Sequence, residues 1–500
     1  MSRPALYLGI DVGTSSAKVV LARATGEVVA HAQQSYPTQH PHPGWAEQQP
    51  SDWWAAVTLA VREVMPGYAP QDLGALGVSG QGCAVTLLGE NGAVLRPAIT
   101  WQDQRSQEQS ARLRERFGQE MQRRSGKWPA PYNADPVLMW LSEHEPQTLE
   151  RAAVSLTTTG YVTFRLTGQA LLNASDASIL CAYDLRAAGW ADELIGAMGV
   201  PRRLYPGIRP CRAVIGGLTP AAASALGLSA GTPVVAGGED TSSAALAAGV
   251  IDAGQAMVSV GTAGTVNVVQ DAPITHPRLL TFEHVLAGRW LLGGSTAAFG
   301  AALEWCRRLL GEHHSFEALT SRAASAPPGA GGLIFLPYLS GELQPINDGQ
   351  ARGALVGFTH QHGQAHVIRA AMEGAAFALA HNLEIARRAG AEVTELRASG
   401  GPTRSSLWCQ MLADITGVPL LVATAPGGAP LGTALLAASG VGAVPDLFDW
   451  ARSVRREERR YRPQQNYAAA FEVYRSLYPV LQPAMHALSA WPPQPFWEEA

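Results

Sequence analysis

Two stretches of this chain are built on one plan, and that repetition constrains the fold more than any other feature. Residues 9 to 18 read Gly-Ile-Asp-Val-Gly-Thr-Ser-Ser-Ala-Lys, after Leu6, Tyr7 and Leu8 and before the apolar run Val19 to Leu21. This pattern predicts a strand, a tight turn of glycine and small hydroxyl residues, and a second strand. About half a chain length later, Met257-Val258-Ser259-Val260-Gly261-Thr262-Ala263-Gly264-Thr265 repeats it, followed by Val266, Val268 and Val269. Such a turn points backbone N–H groups and hydroxyls at one small region, as phosphate oxygens require. In the first copy the Lys18 ammonium joins them, and Asp11 adds a carboxylate suited to Mg²⁺. No Gly-Lys-Ser/Thr opens a helix here, so this is not a Walker loop. Either hairpin alone reads as a plain β-turn. Together they suggest a duplicated domain with a nucleotide held between the copies.

At 500 residues the chain is too long for one core and suits two large domains or a few smaller ones. Apolar residues make up 47% and charged residues 16%, the composition of a globular enzyme rather than a disordered or fibrous chain. A net charge of −4 leaves no electrostatic footprint for nucleic acid or an anionic membrane. Asp11 and Lys18 interrupt the N-terminal apolar stretch, so no signal peptide is expected. Nor is any uncharged run long enough to span a bilayer. The five cysteines, Cys83, Cys181, Cys211, Cys306 and Cys409, are scattered without CxxC spacing. That predicts a reducing cytoplasm, with neither a zinc site nor a disulfide framework. Lys18 and Lys127 are the only lysines among 37 basic residues.

Short β-type runs alternate with longer helical stretches, which predicts α/β layering. Strands are expected at Leu6–Asp11, Val19–Ala22, Ala75–Ser79, Val234–Ala236, Ala256–Ser259 and Leu333–Pro337. Helices are expected at Glu108–Arg124, His366–Arg388 and Ala468–Leu488, the last interrupted by Pro479 and Pro483. Val234-Val235-Ala236-Gly237-Gly238-Glu239-Asp240 runs a strand into Gly-Gly and then an acid ahead of a helix. A carboxylate so placed either caps the helix or serves as an active-site group at a strand's carboxyl end. Ser399-Gly400-Gly401, followed by Ser405 and a helix, is a turn that admits a flat base close to the backbone. Gly427 to Ala434 reads as a further small-residue turn.

The order of these pieces resembles the FGGY carbohydrate kinases, and among them the xylulokinases. The resemblance rests on the Asp-x-Gly-Thr-Ser turn with Lys18, on Pro43-Gly44-Trp45-Ala46-Glu47-Gln48 before Trp53-Trp54, and on Gly80-Gln81. It continues through Thr100-Trp101-Gln102-Asp103-Gln104-Arg105, Gly237 to Asp240, Ser259 to Gly264 and Leu336 to Glu342. Met372-Glu373-Gly374, Ser399-Gly400-Gly401 and Ala413-Asp414 complete it. It implies two duplicated actin-like, ribonuclease H-like α/β domains with ATP and sugar in the cleft between them. The boundaries expected are 1–245 and 246–490, with a tail at 491–500. By matched position Asp240 is the general base, and Asp11 with Asp240 organises Mg²⁺ through water. Gly13, Thr14, Ser15 and Lys18 approach the transferred phosphoryl group. Gly261, Thr262 and Gly264 cradle the ATP phosphates, while Gly400, Gly401 and Ser405 lie beside the adenosine.

For the sugar, the resemblance points to Gln81, Gly82, Cys83, Trp101 and Asp103 beside Asp240, with Trp101 as a wall and Asp103 as a hydroxyl acceptor. Here the chain departs from the family. Xylulokinases carry Gln-Met-His-Gly where this sequence has Gln81-Gly82-Cys83-Ala84, and Asp-Asn where it has Asp240-Thr241. The reaction implied is ATP-dependent phosphorylation of a ketopentose, D-xylulose first. L-xylulose, ribulose, erythritol and glycerol remain open, as does an Hsp70- or actin-type nucleotide-driven binding protein. The resemblance favours a homodimer.

Overall fold

The computed structural model describes residues 6–311, 313–423, 427–453 and 458–490, so the Pro-rich tail lies outside the described residues. The chain forms two compact units. One comprises Met1–Ala253, Val269–Leu292 and Ala425–Arg456; the other comprises Gly254–Val268, Gly293–Thr424 and Glu457–Ala500. The sequence reading places one boundary near residue 245, whereas the units interleave along the chain.

The first unit is organised on a sheet that begins with β1 (Leu6–Val12), β2 (Ser16–Arg23) and β3 (Val28–Ser35). α1 (Pro50–Val64) leads to β4 (Leu73–Gly80), which runs parallel to β1 with Val12 opposite Gly80. β5 (Val214–Gly217), β6 (Pro233–Val235) and β7 (Gly238–Glu239) complete it in the order β5-β6-β4-β1-β2-β3, with β7 beside the end of β4. Every residue of β1 is buried, because both faces are covered. Leu8 and Ile10 join Trp53, Val57 and Val61 of α1 in one core cluster. Tyr7, on the alternate face, joins Leu431, Ala434 and Leu435 of the helix Gly428–Gly440 in another. Each fully buried aliphatic side chain of this kind contributes about 1.5–3 kcal/mol.

The segment Gly427 to Ala434, expected as a turn, is therefore mostly helix, and its small residues serve packing. A Cβ on Gly9 would stand 1.7 Å from the Pro430 carbonyl oxygen, and one on Gly432 would stand 1.9 Å from that of Ser243. Only glycine lets this helix lie against β1 and against α2 (Asp240–Ala248). The second lysine also finds its reason here. Lys127 is buried and donates to the carbonyl oxygens of Ser125 (2.6 Å), Thr281 (2.5 Å) and Ser178. Three converging acceptors suit a compact ammonium better than a planar guanidinium. Burial draws its pKa down to about 8.

In the second unit β8 (Gln255–Val260) and β9 (Gly264–Gln270) form the second hairpin, with Val260 opposite Gly264. α3 (Gly300–Leu310) follows in the chain. β10 (Glu395–Ser399) runs parallel to β8, as β4 does to β1. α4 (Ser406–Thr416) leads to β11 (Leu420–Ala423), and β12 (Glu458–Tyr461) closes the edge antiparallel to it. The duplication predicted from the hairpins is thus a duplication of strand pairing. The Ala-rich helix Gln364–Arg388 is buried along most of its length.

The helix Ala468–Ser489 runs unbroken through Pro479 and Pro483, where interruptions are expected. Tertiary contacts hold it on both sides of the prolines. Arg475 pairs with Glu384 at 2.7 Å, and Tyr478 and His486 meet Asp348 Oδ2 at 2.6 and 2.7 Å. No described helix is long and apolar enough to cross a membrane.

These close approaches give a direct test. Gly9→Ala is expected to destabilise the protein by about 3 kcal/mol, since the intruded atom is backbone. Gly196→Ala, in a helix with no atom within 4 Å of the new methyl, should leave the melting temperature unchanged or raise it.

Candidate functional site

β1, β4 and β7 end side by side, Val12 opposite Gly80 and Gly80 opposite Glu239. The carboxyl ends of β1 and β7 bring Asp11, Glu239 and Asp240 to this row. Close packing of backbone makes this possible. Gly237 has φ +82° and a Cβ there would lie 1.9 Å from the Val78 carbonyl oxygen, so the chain turns hard against β4 before α2 begins.

The choice between helix cap and active-site acid is decided between neighbours. Glu239 takes the cap, its Oε2 accepting from Ser242 N at 2.8 Å, while its own N–H donates to Ser175 Oγ at 2.7 Å. Asp240 is the first residue of α2, and its carboxylate accepts a bond from the Thr241 hydroxyl at 3.0 Å.

Asp11 is buried, opposite Lys18 across the hairpin, and accepts from Ser79 Oγ at 3.0 Å. Burial raises its pKa to about 7, the Asp240 charge adds to the rise, and Ser79 and Lys18 oppose it. Glu239 is pushed well up by burial and by Asp240, and Asp176 behind them rises to about 7, chiefly by burial. A cation bound beside these acids would favour their charged forms. Among the described residues no three His, Cys, Asp or Glu side chains converge on a metal. A two-carboxylate pair suits Mg²⁺, which keeps waters and phosphate oxygens as its other ligands.

The turn at Gly13, Thr14 and Ser15 is held from behind. Gly13 N donates to Ser16 O at 3.1 Å, Tyr36 OH donates to Gly13 O, and Gln48 Nε2 donates to Thr14 O at 2.7 Å. Gln48 Oε1 in turn accepts from Trp53 Nε1 (2.9 Å) and Gln81 Nε2 (2.8 Å). Gln81 thus steadies the phosphate-type turn through Gln48, and its own Oε1 is buried with no hydrogen-bond partner among the described residues. Trp101, 41% exposed, hangs over the same turn with its indole N–H donating to Thr14 Oγ1 at 3.1 Å.

Asp103 has a different environment from the one expected of a hydroxyl acceptor. It is fully buried. Its Oδ2 accepts from Ala46 N (2.6 Å) and Arg105 Nη2 (2.8 Å), and its Oδ1 from Arg105 N and Nε, both 2.9 Å. Arg105 also pairs with Glu47 at 2.7 Å and lies 3.6 Å from the Trp45 ring centre. Both oxygens of Asp103 are spent on protein. Gly82 and Cys83 follow β4 after Gln81, and burial with the nearby Asp135 pushes the Cys83 thiol up to about 12. A thiol held so far toward its neutral form is a wall group rather than a nucleophile.

The second unit contains a cavity of about 1100 Å³. Gly261, Thr262, Gly401 and Ser405 line it, with Trp305 and Trp408 among its aromatic walls. Gly400 (φ +115°) stands behind the turn, where a Cβ would lie 1.8 Å from the Val260 carbonyl oxygen. Gly264 packs against Phe299 instead. Ser405 caps α4 by accepting from Trp408 N at 3.3 Å. The volume and mixed lining fit a nucleoside-sized ligand.

Residues 6–247 match the N-terminal domain of the FGGY family of carbohydrate kinases, and residues 256–441 match its C-terminal domain. The chain belongs to this family. The xylulose kinase of Escherichia coli strain K12 is 35% identical over 96% of this chain and 100% of that protein. The xylulose kinase of Bacillus subtilis strain 168 is 31% identical over 94% and 96%. The crystal structure of xylulose kinase from Rhodospirillum rubrum is similar with a TM-score of 0.89 at 32% identity, covering 96% of this chain and 100% of that one. The fold is accordingly the two-domain, actin-like α/β fold of the sugar kinases.

Sequence reasoning missed part of this FGGY kinase's machinery. Gln48 stands in the sequence only as part of a motif, although it links Thr14 to Gln81 and anchors both to Trp53 of α1. α3 supplies Gly300, Ala301 and Trp305 to the cavity, and the small pair Gly300-Ala301 at a helix start was the available signal. Asp103→Asn offers a test of the buried assignment. If Asp103 braces the loops, this change should cost about 3 kcal/mol of stability in thermal or denaturant unfolding, by leaving Arg105 and Glu47 poorly balanced. An acceptor of sugar hydroxyls alone would leave stability intact.

Proposed function

We propose that this FGGY kinase transfers the terminal phosphoryl group of ATP to a ketopentose, D-xylulose giving D-xylulose 5-phosphate. The observation that carries the reading is the division of labour at α2. Glu239 caps the helix, which leaves the Asp240 carboxylate at the helix start beside Asp11, available as the base that takes the hydroxyl proton. Similarity to xylulose kinases over nearly the whole chain supports the choice of sugar.

In this reading Asp11 and Asp240 hold Mg²⁺ through water. Bound there, the ion offsets charge on the phosphate oxygens. The backbone N–H groups and hydroxyls of Gly13, Thr14 and Ser15, together with the Lys18 ammonium, face the transferred group. Gly261, Thr262 and Gly264 receive the phosphates of ATP, and Gly400, Gly401 and Ser405 stand beside its adenosine. Positioning and charge neutralisation carry most of phosphoryl transfer, so few covalent roles are needed. Gln81, Gly82, Cys83 and Trp101 wall the sugar, and Asp103 braces the loop that carries Trp101. The replacement of Met-His by Gly82-Cys83 favours a second reading, the same transfer to another ketose or polyol.

Two measurements test this. ADP release should require both Mg²⁺ and a sugar, with D-xylulose leading a panel of L-xylulose, ribulose, fructose, glycerol, erythritol and arabitol in kcat/KM. Asp240→Asn should lower kcat by about a hundred- to ten-thousand-fold while ATP binding persists. Near-normal turnover in that variant would refute the base assignment, and sugar-indifferent ATP hydrolysis would refute the kinase reading of the site.

A further inference from the structure

Position 82 poses a question that its backbone does not answer. Gly82 is absent from the glycines with left-handed φ, so its conformation is open to any residue. A side chain there would meet the end of another side chain. An ideal Cβ there would lie 2.5 Å from Ile179 Cδ1, and the next atoms, Glu239 Cγ and Ile179 Cγ1, are 3.9 Å away. One methyl group from a distant segment therefore occupies the volume that a side chain at 82 would claim. The following residue, Cys83, sits at φ +59°, a conformation rare outside glycine and found where surroundings over-determine the backbone.

This contact lies beside the acidic row. Gly82 comes two residues after the end of β4, opposite Glu239, and Glu239 precedes Asp240. Ile179 itself is half-buried, with its N–H donating to Asp176 O at 3.3 Å in the turn after the short helix Ala174–Ala177. Gly82, Ile179 and the neutral thiol of Cys83 offer a substrate no strong hydrogen bond. Such a surface discriminates by shape, and the reach of the isoleucine sets where the shape ends.

We propose that Ile179, by filling the volume left open at Gly82, is the residue that sets the length of sugar this enzyme accepts. The inference rests on the reading of Asp240 and its neighbours as the sugar site. It makes Gly82 and Ile179 one unit: a larger residue at 82 displaces the end of Ile179, and a smaller residue at 179 removes that conflict.

A double-mutant cycle on selectivity tests it. Wild type, Ile179→Ala, Gly82→Met and the double variant are assayed for kcat/KM on D-xylulose and on D-fructose, one carbon longer. Ile179→Ala is expected to raise the fructose-to-xylulose ratio by about ten-fold or more, mainly through KM. Gly82→Met alone should lower kcat/KM for xylulose by about ten-fold, and the added Ile179→Ala should recover most of that loss. Because both sugars are assayed on one sample, the ratio is independent of the fraction folded. If Ile179→Ala does not accumulate, Ile179→Val carries the same ratio at smaller amplitude. A ratio unchanged in the 179 variants, or losses that simply add in the double variant, overturns the proposal. A wild type inactive on both sugars refutes the substrate reading instead. The ratio is then taken between its best substrate and the analogue one carbon longer, which keeps the two failures distinct.

Discussion

The first site depends on backbone lying against backbone. Gly237 meets the carbonyl of Val78, Gly9 meets that of Pro430, and Gly432 meets that of Ser243, each at a distance no Cβ tolerates. These approaches seat α2 and the helix Gly428–Gly440 directly on the sheet. The ends of β1, β4 and β7 then stand in one row. Asp11, Glu239 and Asp240 come from residues far apart in the chain, and no flexible loop is needed to gather them. A site set on strand ends holds its geometry through the core that supports it.

Charge is handled in two opposite ways within the same unit. Asp103 and Glu47 are buried but share Arg105, and Asp103 has every oxygen occupied. Asp11, Glu239 and Asp176 are buried without a comparable cation, and their pKa values rise accordingly. The first arrangement is satisfied by protein and braces loops. The second is hydrogen-bonded by neutral donors without a paired guanidinium, so burial pushes these acids toward their neutral forms. Of the raised acids, Asp11 and Glu239 belong to strand ends and Asp176 to the short helix Ala174–Ala177.

The hairpin appears twice and is put to different use. In each unit a parallel third strand pairs with the first strand of the hairpin, β4 with β1 and β10 with β8. The first copy carries Asp11 and Lys18 and is steadied by Gln48. The second copy carries neither, and opens beside a large cavity walled by α3 and α4. One strand plan therefore supplies a polar, charged turn in one unit and a nucleoside-sized recess in the other.

Much was readable from the chain alone. Both hairpins followed from local pattern, because strand periodicity and glycine turns are short-range signals. The acid after Gly237-Gly238 also stood out by composition. Which of the two acids caps the helix did not, since that depends on where each carboxylate points. Asp103 read as a hydroxyl acceptor because a sequence displays an acid and hides the arginine and amide that occupy it. Ile179 gave no signal at all, its significance lying in a contact with a glycine 97 positions earlier. The sequence by itself determined the duplicated strand–turn–strand plan and the membership in a sugar-kinase family. Only the tertiary structure decided which carboxylates are free, which are spent, and what fills the space at Gly82. Those are questions of long-range proximity, and local pattern carries no record of it.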